Sequence, residues 1–386
     1  MDNLTHSLVG LAAAKAGLER VSPGATMLCV IAANAPDGDI LALFGGRWTY
    51  LHHHRGITHS IVGTLLLALL VPALFYVGDL SAARVRQRAP RVKFGRLLAA
   101  SLIVSATHPL MDWTNNYGVR PLLPWSGRWF YGDLVFIVDP WVWLSVGGAA
   151  FLLTAKGGWS AAALGLLALV LTAGFLFLPL QRNANLAHPY LFRALWIIGI
   201  AGLVAAHRAR LAERWGSSLA LVALVLVAVY WGGLAVIHAR ALDQAQVIAN
   251  RLAAENNETL NRMAAMPTLA NPLNWRCVVD TERAVYRFDL SVGLMNPAAV
   301  REMARFEKPK GDAATMVAQA SKDERAEIFL NFARFPAVRV EGDCLSRTLV
   351  QFADLRYTDP GASRGGSFSL ELPVECPPES VETSEK

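Results

Sequence analysis

Four short stretches near the start of the chain carry side chains able to bind a metal ion. They are THS at 5–7 with His6, APDGD at 35–39 with Asp37 and Asp39, HHHRGITHS at 52–60 with His54 and His59, and HPLMD at 108–112 with His108 and Asp112. Six of the nine histidines lie in the first 108 positions. His108 and Asp112 are four apart, which puts both on one face of a helix where they can share a metal. Pro36 and Gly38 force a turn that presents two carboxylates with no neighbouring Lys or Arg, a common way of supplying hard oxygen ligands. His54 and His59 flank an Arg-Gly turn, and Arg55 is a candidate for binding an anionic oxygen. Each stretch also has a plain reading: Thr5 capping a helix beside an incidental His6, a polar turn, a histidine-rich loop, and a His–Asp hydrogen bond. Seven N/O ligands exceed the three or four of one tetrahedral zinc and suit a site of two metals bridged by water or carboxylate.

The elements that carry these residues belong to a membrane protein. Of 386 residues, 54% are hydrophobic and 17% charged, against about 25% charged in soluble domains. Almost all the apolar clustering precedes residue 239. Six segments reach or approach the ~20 apolar residues a bilayer requires: 58–78, 96–112, 134–155, 159–180, 190–207 and 218–238. Two shorter apolar runs, 5–18 and 24–35, read as a helical hairpin packed among the spans. Arg84, Arg86, Arg88, Arg91, Lys93 and Arg96 fill the loop after the first span and place it in the cytoplasm. Lys156 and the run at 207–214 agree with that orientation. All four motif stretches then fall at the opposite, outer face, as does everything after 238. The net charge of +6 sits largely in these loops, so no nucleic-acid partner is expected. The implied partner is membrane lipid, and no protein partner is specified.

The expected fold is therefore mainly α. A polytopic bundle of six spans plus the hairpin occupies 1–238, an extracytoplasmic α+β domain 239–375, and a disordered tail 376–386. In the α+β domain the patterning gives a polar helical stretch at 239–265, strands at 275–281, 284–291, 337–342, 346–357 and 367–374, and helices at 297–307 and 321–333. An extracytoplasmic location allows one disulfide among Cys277, Cys344 and Cys376. Asp133 and Asp139 lie near the outer end of a span, and Asp139 has the alternative roles of partner to a ligating histidine or helix-start acid. Arg120 and Arg128 share the outer loop and are candidates for phosphate binding. Trp113, Trp125, Trp129 and Tyr131 suit an interfacial belt.

The ordered set THS, PDGD, HHHRGITHS and HPLMD resembles the YdjM-type inner-membrane metal-dependent hydrolases, a family also described as LexA-binding. The resemblance covers roughly 1–145, extends through TNNYGVRPLLPWSGRW and FIVDP, and reaches NPLNW and DLRY more loosely. It implies a bacterial inner-membrane hydrolase. The order Asp, His, His-x-x-x-Asp is also similar to zinc-dependent phospholipase C. Those enzymes carry further ligands after that pair, whereas here the next histidine is His188, which leaves one or two zinc ions rather than three. The expected activity is hydrolysis of an ester or phosphoester, with a lipid fitting the location. His6, Asp37, Asp39, His54, His59, His108 and Asp112 are the metal ligands, and Asp39 and Arg55 the catalytic groups. A non-catalytic regulator of the LexA-binding type is the alternative. A transporter ranks last, because the ligands cluster at helix ends rather than at the bilayer midplane.

Overall fold

The structure, a computed structural model, describes residues 1–155, 157–177, 189–293, 299–342, 348–361 and 368–375. It opens on helix α1 (Asn3–Lys15), capped by Asp2 rather than Thr5. Asp2 accepts from the Thr5 backbone N–H and from the Thr5 hydroxyl. Helix α2 (Ala25–Asn34) runs on as a 3-10 segment, Ala35–Gly45, and α3 (Arg47–His53) follows. Gly10 lets α1 and α2 pack closely, since a Cβ there would lie 2.6 Å from the Cys29 carbonyl oxygen. A 3-10 turn, Ile57–His59, then leads into α4 (Ile61–Val85), which returns through the arginine-rich loop to α5 (Phe94–Trp113). Ser60, not Thr58, caps α4 by accepting from the Gly63 N–H.

Beyond α5 the chain is irregular until α6 (Pro140–Val142), which continues through a π-helical turn, Trp143–Gly147, into α7 (Gly148–Thr154). Then come α8 (Gly158–Phe177), α9 (Pro189–Arg208), α10 (Leu211–Trp215) and α11 (Ser217–Glu255). Five helical segments among the described residues are long and apolar enough to span a bilayer: Ala25–Gly45, Ile61–Val85, Phe94–Trp113, Tyr190–Arg208 and Ser217–Glu255. Four match expected spans. The fifth is the 24–35 run, lengthened by the 3-10 segment. The expected spans 134–155 and 159–180 give shorter apolar helices, Pro140–Thr154 and Gly158–Gly174, and 178–180 lies outside the described residues. The first is short because Asp139 caps a helix that Pro140 begins. On α4, Leu65, Leu66, Leu69, Leu70, Leu74 and Val77 are all more than 45% exposed. A long apolar face turned outward is what lipid, not water, stabilises.

Helix α11 joins the two halves. Its 39 residues make a rod of about 58 Å, nearly twice the hydrocarbon thickness. The expected boundary at 238/239 is therefore an unbroken helix, and the helical stretch ends at Glu255 rather than 265. Beyond the apolar part, Ala241, Ala245 and Ala249 recur every four residues and bury against a sheet containing Trp275, Cys277 and Phe288. That sheet is the antiparallel meander β1 (Leu260–Thr268), β2 (Asn271–Thr281), β3 (Ala284–Ser291) and β4 (Ala299–Glu307). After it come α12 (Asp312–Ala320) and α13 (Glu324–Phe332), then a second antiparallel sheet of β5 (Pro336–Glu341), β6 (Thr348–Asp354) and β7 (Ser369–Val374). Of the stretch 297–307, expected as a helix, Ala299–Glu307 is instead a strand, and 297–298 lies outside the described residues. Pairing with β3 overrides a propensity worth only tenths of a kcal/mol per residue. Cys277 is buried as a free thiol, while Cys344, Cys376 and the tail 376–386 lie outside the described residues.

One apolar core crosses between the halves. Leu51 and Tyr117 pack with Phe329, Phe332, Phe352 and Leu370. The C-terminal domain thus sits on the end of the α4–α5 hairpin opposite the arginine-rich loop.

Candidate metal centre

Each site residue is delivered by an element that ends or turns at this same place. The 3-10 run after α2 supplies Asp37 and Asp39, the turn before α4 supplies His59, and the last turns of α5 supply His108 and Asp112. Asp37, His59, His108 and Asp112 converge with one ligand atom each. His59 Nε2 lies 3.1 Å from His108 Nε2, 3.2 Å from Asp112 Oδ2 and 3.3 Å from Asp37 Oδ1. His108 Nε2 lies 3.5 Å from both carboxylates. Ligands at 2.0–2.1 Å from a tetrahedral ion stand about 3.3 Å apart, so these spacings are the edges of such a cage.

The proton positions point the same way. His108 Nδ1 is 2.6 Å from the Ala33 carbonyl, which accepts its proton. His59 Nδ1 is 3.0 Å from the Thr58 hydroxyl and 3.4 Å from Asp39 Oδ2. The His108 ring then turns an unprotonated Nε2 toward His59 Nε2. The buried Asp112 Oδ2 accepts no hydrogen bond from the protein. Two imidazole nitrogens and two carboxylate oxygens facing one point are a donor set that fits a cation. Thr58, expected as a cap, is drawn into this arrangement instead.

A second group, Asp37, Asp39 and His54, shares Asp37 with the first and is less buried. His54 Nδ1 is 3.0 Å from Asp39 Oδ1, while Asp39 Oδ2 accepts from the Arg55 backbone N–H at 2.9 Å. His6 joins neither group. It is buried, stacks on His108 with ring centroids 3.7 Å apart, and places Nε2 3.3 Å from Asp112 Oδ1. The Met1 amino group meets the same oxygen.

Arg55 adopts a left-handed backbone conformation, φ 52°, strain that non-glycine residues carry chiefly at functional positions. Its buried guanidinium pairs with Asp112 Oδ1 at 3.1 Å and donates to Asn115 Oδ1 at 2.8 Å. It also lies over the Tyr117 ring, and its Nε has no partner in the protein. Asn115 and Tyr117 went unnoticed in the sequence, since nothing in TNNYG distinguishes them from loop residues. A cavity of about 380 Å³ opens beside the centre, lined by Asp37, Asp39, His54 and Arg55 and walled by Ile40, Leu43, Tyr117 and Phe368.

The other candidates are engaged elsewhere. Asp139 caps α6 and accepts from the Tyr230 hydroxyl, so it is a helix-start acid with no contact to a site histidine. Asp133 forms a two-pronged ion pair with Arg334. Arg120 donates to the carbonyls of His52 and His54 and stacks on Trp129. Trp129 and Tyr131 pack against the C-terminal domain, not lipid, whereas Trp125 is 79% exposed. In that domain Arg356 is wholly buried. Burial works to lower its pKa, but Asp354, Tyr357 and Tyr131 together hold the guanidinium above its ordinary value.

Comparison with known proteins places residues 1–177 under the family described as YdjM inner membrane protein. The chain is 32% identical over 133 residues to the inner membrane protein YbcI of Escherichia coli, covering 33% of this chain and 70% of that protein. It is 28% identical over 155 residues to YfhP of Bacillus subtilis, covering 38% of this chain and 44% of the relative, less than half its length. No solved structure matches.

Proposed function

The chain belongs to the YdjM family of inner membrane proteins, and on that premise we propose that it is a membrane-bound, metal-dependent hydrolase of an ester or phosphoester. The observation that carries the proposal is the convergence of His59, His108, Asp37 and Asp112 at the spacing of a metal's ligands. The set of two imidazole nitrogens and two carboxylate oxygens suits zinc. Asp37, His59, His108 and Asp112 would hold one ion, and Asp37, Asp39 and His54 would offer a second, more open position.

A bound ion lowers the pKa of water and polarises a phosphoryl or carbonyl oxygen. The chain's own groups do the rest. Asp39, on the cavity wall, takes the proton of the attacking water. Arg55, with a free Nε, steadies the anionic oxygen of the substrate. His6 packs on His108 and fixes Asp112 from behind. Ile40 and Leu43 line the cavity and are themselves 53% and 48% exposed, so the opening adjoins the surface that faces lipid. An amphiphile with its head at the metal and its tail along that surface fits this geometry. By the positive-inside rule the site and the C-terminal domain face away from the cytoplasm.

The test is elemental analysis of the purified protein. About one to two equivalents of zinc or another divalent metal are expected, with near-complete loss in the His59→Ala/His108→Ala double variant. Equal, negligible metal in both proteins sinks the proposal. A reporter fused after residue 250 checks the orientation, and cytoplasmic signal there reverses it.

A further inference from the structure

We propose that Arg356 of the C-terminal domain is a positioning residue for the metal centre, acting through the 114–118 loop. The inference rests on the metal-centre reading above. Arg356 lies outside residues 1–177 matched to the family, yet it holds the loop whose Tyr117 walls the cavity. All five N–H groups of its guanidinium are used. Nε and Nη2 donate to Asp354 Oδ2 at 2.8 and 2.7 Å. Nη2 also donates to the Phe332 carbonyl at 2.9 Å, and Nη1 to the carbonyls of Asn116 and Tyr117 at 2.8 and 3.2 Å. An arginine buried to this extent could have been paired within its own domain. It spends two donors on the backbone of another.

That backbone leads to the metal. Asn115 Oδ1 accepts from Arg55 Nη1 at 2.8 Å, the Gly118 carbonyl accepts from the same nitrogen at 3.4 Å, and the Tyr117 ring lies 4.6 Å from the Arg55 guanidinium. Arg55 Nη2 in turn sits 3.1 Å from Asp112 Oδ1 and so orients the carboxylate whose Oδ2 faces the histidines. The chain of contacts is Arg356, the 116–117 carbonyls, Asn115 and Tyr117, Arg55, Asp112. The loop has other ties, since the Thr114 carbonyl accepts from Leu134 and Val135, but none of those reaches Arg55.

Cobalt(II) titration of the full-length protein in nanodiscs, followed by visible d–d absorption, reads both affinity and ligand geometry. Arg356→Lys keeps the charge beside Asp354 but loses the planar fork that reaches both carbonyls. It is expected to bind cobalt about tenfold more weakly, as loss of outer-shell support does, with a shifted spectrum. Asn115→Ala should produce the same shift and add nothing further in the Arg356→Lys background. Arg334→Met removes the ion pair between this domain and Asp133 and should leave spectrum and affinity unchanged. Wild-type behaviour in both Arg356→Lys and Asn115→Ala overturns the inference. So does an Arg334→Met protein that shifts as Arg356→Lys does, because the effect would then be domain docking alone. Failure of the wild type to bind cobalt at all sinks the metal reading, and this inference with it. If Arg356→Lys does not fold, the Asn115→Ala spectrum decides.

Discussion

The two halves of the molecule treat buried charge in opposite ways. In the C-terminal domain the buried Arg356 has Asp354 as its partner, and the half-buried Arg334 reaches across to Asp133 of the membrane half. In the membrane half, the buried Asp112 Oδ2 accepts no hydrogen bond from the protein and faces His59 Nε2 and His108 Nε2. The first arrangement is complete without a ligand. The second leaves a carboxylate oxygen open to a cation. Burial of polar groups by itself therefore says little, and what separates structure from function is whether the protein supplies the partner.

The largest effect that tests this contrast is in the paired half. Arg356→Leu leaves Asp354 buried without its counter-charge, which is expected to cost about 3–5 kcal/mol of stability. Replacing both members, Asp354→Leu with Arg356→Leu, should recover a good part of that loss in urea unfolding followed by near-UV circular dichroism. A double variant as unstable as the single one would mean the pair does more than neutralise itself.

The unpaired half should behave in reverse. With metal removed by chelator, His59→Leu/His108→Leu is expected to raise thermal stability by an amount worth about 1–3 kcal/mol, because it removes unsatisfied buried groups. The same variant should lose the further stabilisation that added zinc gives the wild type. A chelated variant less stable than chelated wild type would show that the cluster is self-sufficient, and the contrast between the halves would collapse.

How much of this was legible in the sequence follows from range. His108 and Asp112 are one helical turn apart, and His54 and His59 flank one turn of chain, so local spacing revealed them. The arginines at 84–96 marked one end of α4–α5, and the motifs fell at the other. The stretch 297–307 misled because local propensity favours helix, while its strand state is set by β3, a neighbour that pattern reasoning does not weigh. The seams at 134–155 and 239–265 were misplaced for a similar reason: hydropathy reports solvent, not whether the helix continues. Arg356 was unreadable as a site residue, since its contacts to 116 and 117 span some 240 positions. Thr5 and Thr58 look like caps, and their hydroxyls were committed elsewhere by tertiary contacts.

A third variant probes the seam between helix and site. Gly63 sits where a Cβ would run into the Ile57 carbonyl oxygen of the turn carrying His59. Gly63→Ala is expected to push that turn aside at a cost of about 1–3 kcal/mol, as overpacking does. It should also weaken zinc binding without touching a ligand, read by competition with a chromophoric chelator. Unchanged zinc affinity would mean the turn relaxes without moving His59.

The smallest expected effect lies at Glu258, on the far side of the C-terminal domain. Its carboxylate accepts from the Thr281 hydroxyl and pairs with Arg283 at 3.6 Å and Arg305 at 3.4 Å. Partial burial works to raise its pKa, but the hydroxyl and backbone hydrogen bonds and the two arginines together hold it below the ordinary glutamate value. A carboxyl whose folded pKa is depressed adds stability above the unfolded pKa, and that stability drains away as pH falls toward the folded value. The difference between wild type and Glu258→Gln should therefore be constant near neutral pH, at under about 1 kcal/mol for so exposed a pair of arginines. It should shrink as the pH drops below about 4.5, where the unfolded glutamate takes up its proton. A difference that grows on acidification would assign Glu258 the opposite sign and place an uncompensated charge in the half of the molecule where the buried Arg356 has its partner.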